Sequence, residues 1–369
     1  MSKLKLALLG TRGIPAKYGG GETLYENLVR GLADRYDITV YCCKEQPRIE
    51  GDTYLGARLK YLNIRGNGWQ SIVYDCVSAF HASKYADILY VFGPASAFAI
   101  HILRLFGFKK PIIMNCGGLN EWEREKFSGF AKAFLKWGYK SLRGKVVYLA
   151  DNELYARSLR DMFGVKDITV IRYGGDNAVK VPVTPSLLEK YPFLLEDYFV
   201  SVARAQVDNN LHMVLEAFSQ MPDKKLVLVS NFQVSDYGKE LYGKYKDSGN
   251  MVLIPGVYDQ TELNAIRSNA KAYIHSHSRC GTPPSLCEAM NLGLPVISFE
   301  MPVNHEVTGG YAFFFSTAEE LVTIVENKTD DDYAGMAALS HELALRELTW
   351  EHIWAQYIDL FDTKPLAQS

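Results

Sequence analysis

The sequence predicts an α/β protein made of two doubly wound, Rossmann-like domains. Three observations lead to this prediction. The chain has 369 residues, which is too long for one ordinary core and fits two domains. Short apolar runs alternate with amphipathic helical stretches along the chain. A proline-punctuated segment with Pro182, Pro185 and Pro192 interrupts this alternation near the middle.

The first domain, placed at residues 1–175, begins as a doubly wound sheet does. An apolar strand at 4–9 leads into a glycine-rich loop at 10–21, a helical stretch at 22–35 and a second strand at 38–43. Further strands are predicted at 59–63, 88–92, 112–115, 146–150 and 168–171.

The second domain, placed at residues 176–349, repeats the pattern. Its strands are predicted at 198–202, 225–230, 251–253, 272–274, 295–299 and 312–315, with helices such as 212–220 and 260–269 between them. A last helix at about 350–369 is expected to pack back onto the first domain. Ligands of such sheets bind at the carboxyl ends of the strands, so we expect a cleft faced by both domains.

Composition excludes several classes of protein. Lysine and arginine total 40 against 42 acidic residues, so bulk charge does not indicate nucleic-acid binding. The six cysteines lack metal-type spacing, and we interpret them as reduced thiols of a cytoplasmic protein. The N-terminal apolar run stops at Gly10, which is too soon for a signal peptide or a membrane span.

The most informative stretch is residues 275–299. A turn at 279–284 leads into a helix that starts with prolines, which suits positions whose N–H groups have no intrahelical partner. Such a helix start is electropositive and suits a phosphate or diphosphate. Glu288 follows one turn later, either as an acceptor for sugar hydroxyls or as a carboxylate that offsets the helix dipole. The donor-binding residues predicted here are Gly281, Thr282, Pro283, Ser285 and Glu288. The hydroxyls of Thr282 and Ser285 either bind phosphate or cap the helix.

Four further residues, in three different loops, are candidates for binding a nucleotide-sugar donor. Gly19 and Gly20 end the first glycine-rich loop at a helix start, where backbone N–H groups can approach an anion; a plain strand–helix turn is the alternative. Arg204 follows a buried strand, where its guanidinium can neutralise a leaving diphosphate; a surface ion pair is the alternative. Tyr258 either flanks the nucleobase or is an exposed loop residue.

Candidate acceptor and catalytic residues lie in the first domain. Glu121, Trp122 and Arg124 follow a predicted strand, where Trp can stack on a sugar and Arg can contact a phosphate; a solvated helix start is the alternative. Asp151 and Asn152 follow the next strand and suit acceptor hydroxyls, with an N-cap as the alternative.

The sequence predicts no bound metal and no cofactor. The acidic run Asp330, Asp331 and Asp332 has the look of a metal motif, but it precedes a helical stretch, where acidic residues are favoured. His275 and His277 alternate at a strand end and share a face, but two histidines alone do not make a zinc site. At least one of them is expected to face the donor or the core.

A basic, aromatic-rich stretch raises the hypothesis of peripheral membrane contact at the inner face of the plasma membrane. A solvated basic helix is the alternative. The stretch contains Lys126, Phe127, Phe130, Lys132, Phe134, Lys136, Trp137, Lys140, Arg143 and Lys145, and residues 101–110 add Arg104, Phe106, Phe108, Lys109 and Lys110.

The sequence resembles glycosyltransferase family 4, which is retaining and has the GT-B architecture, and more narrowly its bacterial rhamnosyltransferase branch. The resemblance runs from residue 8 to about 315 and is carried by the runs at 10–20, 119–126, 150–152, 173–176, 202–210 and 281–295. It implies transfer of L-rhamnose from dTDP-rhamnose to a glycan or lipid-linked acceptor in surface polysaccharide synthesis. It also implies catalytic roles for Arg204, Glu288, Glu121 and Arg124.

The sequence departs from the family pattern at three places. Cys280 stands eight positions before Glu288, where many members have Glu, and Asn209 stands where many have Lys. The aspartate that the branch usually has near residue 117 is absent from the run Asn115-Cys116-Gly117-Gly118-Leu119. Two other functions stay open: a non-hydrolysing nucleotide-sugar epimerase and a non-catalytic scaffold of a membrane glycan assembly.

Overall fold

The computed structural model describes residues 3–16, 19–118 and 128–363. The chain divides into two compact units. Unit 1 comprises Met1–Arg172 and Ile353–Ser369, and unit 2 comprises Tyr173–His352. Each unit has one sheet with helices around it, which confirms the prediction of two Rossmann-like α/β domains.

The sheet of unit 1 has eight strands in the order β3-β4-β2-β1-β5-β6-β7-β8. Neighbouring strands are parallel except for β3 and β4, which are antiparallel. The central strands β1 and β5 are apolar and buried at four of their five positions each, as expected of parallel strands covered by helices. The strands are β1 Lys5–Leu9, β2 Asp37–Cys42, β3 Thr53–Tyr54, β4 Ala57–Tyr61, β5 Ile88–Phe92, β6 Ile112–Asn115, β7 Val147–Ala150 and β8 Ile168–Val170.

The helices of unit 1 cover this sheet with one apolar face each. They are α1 Gly20–Leu32, α2 Gln70–Ala82, α3 Ala97–Leu105, α4 Gly129–Ser141 and α5 Glu153–Phe163. The last helix of the chain, α14 (Trp350–Thr363), belongs to unit 1 from Ile353 onward. Its Trp354 ring lies directly against Gly31 of α1 and donates a hydrogen bond to the carbonyl of Asn27 at 2.9 Å. A side chain at position 31 would collide with that ring.

The sheet of unit 2 has six parallel strands in the order β11-β10-β9-β12-β13-β14. The strands are β9 Tyr198–Val202, β10 Lys225–Ser230, β11 Met251–Pro255, β12 Ala272–His275, β13 Val296–Phe299 and β14 Phe313–Phe315. The helices are α6 Pro185–Lys190, α7 Leu211–Ser219, α8 Asp236–Tyr245, α9 Gln260–Ser268, α10 Pro284–Asn291, α11 Pro302–Thr308, α12 Ala318–Asn327 and α13 Asp330–Glu347.

In each sheet the strand order reverses beside the first strand of the unit. In unit 1 the reversal lies between β1 and β5, and in unit 2 it lies between β9 and β12. The crevice beyond the carboxyl ends of such a pair is where doubly wound sheets bind ligands. The loops that follow β1 and β5 and those that follow β9 and β12 are therefore the places to search for sites.

The predicted strands agree with the observed ones to within a few residues, and one strand was missed. The antiparallel strand β3 is two residues long and carries no apolar run, so no periodicity could indicate it. Within the described residues, none of the helices combines the length and the apolar character needed to cross a lipid bilayer. All six cysteines lie in the described residues, and none forms a disulfide.

Candidate functional site

Arg204 lies two residues beyond β9, at the carboxyl edge of the sheet of unit 2, and its side chain is exposed. The loop that carries it is shaped by Asn209, which is buried and donates from Nδ2 to the carbonyl of Arg204 at 2.8 Å. The position where many family members have lysine therefore holds a residue that fixes the backbone under Arg204.

The loops after β9 and β12 are held together by hydrogen bonds beside the strand-order reversal of unit 2. Ser276 Oγ donates to the carbonyl of Asn209 at 2.5 Å, and Asn210 Nδ2 donates to the carbonyl of Ser276 at 3.0 Å. The backbone N–H of Ser278 donates to the carbonyl of Asp208 at 3.0 Å. Residues 204–210 and 275–282 thus form one loop layer at this edge of the sheet.

His275, His277 and Cys280 come together in this loop layer. Each offers one potential ligand atom, and the three atoms lie within 4.8 Å of one another. Burial lowers the pKa of His275 well below its usual range. Burial also lowers the pKa of His277 to about 3, and the positive charge of Arg204 contributes to that shift. Both imidazoles are therefore neutral at physiological pH.

Helix α10 starts directly after this loop, and the predicted helix start is close to the observed one. Its N-cap residue is Pro283 and its first residue is Pro284, and neither side chain can accept a hydrogen bond from the helix N–H groups. Gly281 and Thr282 are buried beside it. Ser285, in the first turn, interacts with the phenol of Tyr273 and lowers its pKa, which burial raises to about 12. This helix start has the electropositive character that an anion site needs.

Glu288 lies inside unit 2 rather than at its surface. Its carboxylate accepts a hydrogen bond from Nη1 of Arg267 on α9 and a second one, at 2.8 Å, from Nδ2 of Asn177. The Arg267 side chain is 1% exposed, so this is a buried ion pair. The sequence indicated a ribose contact or an offset of the helix dipole for Glu288. The structure adds a third role, as the partner of a buried guanidinium, and the ribose contact stays a prediction.

The ion pair is part of a network that joins the beginning and the end of unit 2. Asn177 Oδ1 accepts a hydrogen bond from the indole of Trp350 at 3.0 Å, and Asp176 Oδ1 accepts one from the backbone N–H of Trp350 at 2.6 Å. Gly175 donates to the carbonyl of Leu348 at 2.8 Å. A Cβ on Gly175 would lie 2.2 Å from the carbonyl oxygen of Cys287, so only glycine fits there.

The glycine-rich loop of unit 1 is tied to α1 by carboxylates. Gly19 is the N-cap residue of α1, with a φ of 110°, and Gly20 is its first residue. The carboxylate of Glu22 lies where a Cβ of Gly19 would point, with Oε2 at 2.6 Å from that position. Its Oε1 accepts a hydrogen bond from the N–H of Arg12 at 3.1 Å. A negative group of the chain itself therefore already lies at the start of α1, and the donor-binding role of Gly19 and Gly20 stays a prediction.

Asp151 and Asn152 follow β7 as predicted, and both are buried. Asn152 is the N-cap residue of α5, because its Oδ1 accepts a hydrogen bond from the N–H of Tyr155 at 2.7 Å. Its Nδ2 donates to Asp151 Oδ1 at 2.8 Å and to the carbonyl of Gly118 at 3.1 Å. The Asp151 carboxylate packs on Gly118 so closely that a Cβ on that glycine would overlap it. Both residues thus shape the loop after β6.

The remaining predicted residues contribute less to the described geometry. Tyr258 is 67% exposed in the loop after β11, and its ring lies over Gly256. Glu121, Trp122 and Arg124 lie outside the described residues. Asp330 begins α13, where Thr329 and Asp332 form a capping box, as the helix-start interpretation of the acidic run requires.

Two participants were not found from the sequence. Arg267 lies on a helix with polar neighbours, and charged residues are seldom buried, so nothing in its context indicated an interior position. The proximity of Cys280 to the two histidines was missed because the cysteines were judged by their spacing to one another. The His-x-His-x-x-Cys pattern at the end of a predicted strand was the available signal.

Comparison with known proteins agrees with this fold. Residues 189–327 match the family model described as Glycosyl transferases group 1, and residues 3–176 match a domain of unknown function, DUF1972. Sucrose-phosphate synthase from Thermosynechococcus elongatus has a similar structure, with a TM-score of 0.81 at 16% identity over 97% of this chain and 98% of that one.

Two further solved structures share the fold. HepE of Anabaena in complex with UDP matches with a TM-score of 0.70 at 17% identity, over 99% of this chain and 100% of that one. The trehalose-6-phosphate protein of E. coli bound with UDP-2-fluoro glucose matches with a TM-score of 0.73 at 13% identity, over 98% of this chain and 100% of that one. The chain therefore has the GT-B fold of these proteins, with a DUF1972 match over residues 3–176 followed by a Glycosyl transferases group 1 match over residues 189–327.

Proposed function

We propose that the chain is a retaining, metal-independent glycosyltransferase that moves L-rhamnose from dTDP-L-rhamnose to a glycan or lipid-linked acceptor in bacterial surface polysaccharide synthesis. The run at 10–20 resembles the rhamnosyltransferase branch of family 4 and supports the sugar. The run at 281–295 resembles family 4 as a whole and supports the family. HepE, which shares the fold, has been solved with UDP and with UDP-glucose, and this supports a nucleotide-sugar donor.

The observation that carries the proposal is the layer of loops beside the strand-order reversal in unit 2. Arg204 lies just after β9. The loop after β12 leads from His275 to the start of α10, where the N-cap residue is Pro283 and the first residue is Pro284. A guanidinium and a helix start whose first N–H groups have no side-chain cap suit a diphosphate. Gly281, Thr282, Pro283 and Ser285 are the residues of this start that we propose to contact the donor.

In the proposed reaction no residue of the protein forms a covalent bond to the sugar. The bond between the anomeric carbon and the diphosphate oxygen breaks, and the diphosphate leaves with the bonding electrons. The acceptor hydroxyl forms the new bond on the same face of the sugar, and the leaving oxygen takes its proton. Arg204 and the start of α10 stabilise the negative charge that develops on the diphosphate, which is the largest contribution expected of the protein.

The sugar end of the site differs from the family pattern. Cys280 replaces the glutamate that many members have, and its thiol cannot accept strong hydrogen bonds from sugar hydroxyls. We propose that the backbone N–H groups of Gly281 and Thr282 contact the sugar instead. In unit 1 the proposed acceptor residues are Trp122, Asp151 and Asn152. The proposed catalytic residues are Arg204, Glu288, Glu121 and Arg124.

The proposal also places the chain at the inner face of the plasma membrane, through a surface that we name the α3–α4 face. Phe98 of α3 stacks against Trp137 of α4 with ring centroids 4.9 Å apart, and Leu105 and Phe130 beside them are each more than 80% exposed. Lys109, Lys132, Lys136 and Lys140 lie on the same two helices or directly after them. Exposed aromatic rings with flanking lysines suit an anionic lipid surface. Arg104 is not part of it, because its guanidinium donates to the carbonyls of Phe108, Lys110 and Lys145.

Sedimentation with vesicles tests the membrane contact. We expect the chain to bind vesicles that contain phosphatidylglycerol and not vesicles of phosphatidylcholine alone. Phe130→Asp should lower binding at least about fivefold, because it puts a charge into the apolar patch. Leu345→Asp, at an exposed leucine of α13 in unit 2, is the matched control and should bind as the unaltered chain does. Equal binding by the two variants would contradict the proposal.

Calorimetric titration with dTDP, UDP and GDP tests the donor assignment, and NMR of dTDP-L-rhamnose with and without acceptor tests the reaction. We expect dTDP to bind most tightly and the donor to be consumed only with acceptor, at equal rates in EDTA and in Mg²⁺. Arg204→Gln should lower kcat/KM about 100- to 1,000-fold while the fold is retained, because the residue is exposed. Conversion of the donor without acceptor would indicate an epimerase, and absence of nucleotide binding would indicate a scaffold.

A further inference from the structure

The cluster of His275, His277 and Cys280 has a composition that the proposed transfer reaction does not use. One potential ligand atom from each residue lies within 4.8 Å of the others. The closest measured approach joins Cys280 Sγ and His275 Nε2 at 4.0 Å. The imidazole rings of the two histidines lie with centroids 4.2 Å apart. The three groups therefore lie close together at the carboxyl end of β12.

Two nitrogens in this cluster are buried without a hydrogen-bond partner among the described residues. They are Nδ1 of His275 and Nε2 of His277. An unpaired polar atom in the interior costs about 1 to 3 kcal/mol, so native structures seldom leave one without a protein, water or ion partner. His275 and His277 alternate along the strand end, so each of them has a ring nitrogen that a group from outside the chain can bind.

The donor set identifies the chemical class of that group. Two imidazole nitrogens and one cysteine sulfur are the ligands of Zn²⁺ and of closely related divalent transition metals. Tetrahedral bonds of about 2.0 to 2.3 Å place ligand atoms roughly 3.3 to 3.8 Å apart, so the observed spacing of up to 4.8 Å requires the ligand atoms to approach one another by about 1.5 Å or less. Three ligands leave the fourth position open, and buried imidazoles favour the neutral form that binds metal.

The surroundings hold the cysteine in place. Asn304 is fully buried, and its Oδ1 accepts the thiol hydrogen of Cys280 at 3.4 Å. Its Nδ2 donates to the carbonyls of His277 and Phe299 at 3.2 Å and 2.9 Å. One carboxamide thus fixes the loop that carries two of the three groups. Such support beyond the ligands is typical of metal sites.

We propose that His275, His277 and Cys280 form a binding site for Zn²⁺ or a related divalent transition metal. On binding, the Cys280 thiol releases its proton to solvent, and the thiolate sulfur and one nitrogen of each imidazole donate electron pairs to the metal. The negative thiolate offsets the repulsion between the metal and the guanidinium of Arg204. The site rests on the contacts of these three residues and holds whether or not the chain transfers rhamnose.

Cobalt substitution tests the site without reference to activity. The metal-free chain is titrated with Co²⁺, and absorption is recorded in the visible region and in the near ultraviolet, where sulfur-to-cobalt charge transfer absorbs. We expect a single tetrahedral Co²⁺ per chain with a charge-transfer band, displaced by Zn²⁺. Cys280→Ser should abolish the band, and His277→Gln should weaken Co²⁺ binding at least tenfold.

Matched variants separate the site from general effects. Cys287→Ser changes another buried cysteine seven positions away, and His305→Gln changes a histidine outside the cluster; both should retain the band and the affinity. Circular dichroism of each variant checks that it is folded. Absence of the band from the unaltered chain, or its persistence in Cys280→Ser, would overturn the proposal. Equal loss in Cys280→Ser and Cys287→Ser would overturn it as well.

Discussion

Each of the two units has a crevice beside the strand-order reversal of its own sheet, and the charged groups at the helix start near that crevice differ between the units. In unit 1 the loop after β1 leads to α1, and the carboxylate of Glu22 folds back over Gly19 at the helix start. In unit 2 the loop after β12 leads to α10, whose N-cap residue is Pro283 and whose first residue is Pro284. The loop of Arg204 lies next to it across the strand-order reversal. One helix start already has an anion of its own, and the other has the charge and the shape to receive one.

The difference shows why a glycine-rich loop alone is a weak indicator of a phosphate site. Glycines allow the backbone to approach an anion, but the same freedom lets the chain bring its own carboxylate to the helix start. Gly10 is needed for a different reason. A Cβ there would lie 2.8 Å from the backbone nitrogen of Phe92, so this glycine allows β1 and β5 to lie side by side.

The largest expected effect concerns the interior of unit 2. Glu288→Ala removes the partner of the buried Arg267 guanidinium, and loss of one member of a buried ion pair costs about 3 to 5 kcal/mol. We expect the midpoint of thermal unfolding to fall by about 10 °C, measured by circular dichroism without ligand. A loss of activity in this variant would therefore report stability as well as donor binding.

The matched control for this variant is Asp236→Ala, which removes the partner of Lys239 in an exposed pair. Exposed pairs contribute little, so the unfolding midpoint should change by less than about 3 °C. If Glu288→Ala keeps the midpoint of the unaltered chain and loses nucleotide affinity, Glu288 acts on the donor and the structural role assigned to its ion pair is wrong.

The second effect concerns the start of α10. Ser285→Asp places a carboxylate in the first turn, where it interacts favourably with the helix N–H groups and repels a diphosphate. We expect the affinity for dTDP, measured by calorimetry, to fall at least about tenfold while the unfolding midpoint stays the same or rises. If Ser285→Asp retains the full dTDP affinity, the start of α10 does not bind the diphosphate.

Glu22→Gln is the corresponding change in unit 1, because it neutralises the carboxylate at the start of α1. We expect the dTDP affinity of this variant to stay within about twofold of the unaltered chain. A clear gain in dTDP affinity here, together with full affinity in Ser285→Asp, would mean that Gly19 and Gly20 bind the donor phosphates. The anion site would then lie at the start of α1 and not at the start of α10.

The sequence predicted the layers of the fold well because buried parallel strands carry a local signal. Runs such as Ile88–Phe92 are apolar throughout. The start of α10 was predicted close to its observed position for a similar reason, since consecutive prolines mark a helix start in the sequence itself.

The sequence did not predict the partners of the site residues, because partners depend on which helices lie side by side. Glu288 is paired with Arg267, which lies 21 residues earlier on another helix. Asn152 could be an N-cap or an acceptor ligand from the sequence, and the hydrogen bond from Tyr155 identifies the cap. The cluster of His275, His277 and Cys280 was likewise not predicted, because only the spacing between cysteines was considered in the sequence.

Hydrogen bonds connect the first residues of unit 2 to its last ones: Asp176 is bonded to Trp350, and Gly175 is bonded to Leu348. Unit 2 is inserted into the chain of unit 1, and its entry and exit segments are bonded to each other inside unit 2. Chain ends that lie close together are what insertion and exchange of domains require. We therefore expect that unit 2 can be exchanged between relatives as one piece, because the two positions at which the chain would be cut lie close together.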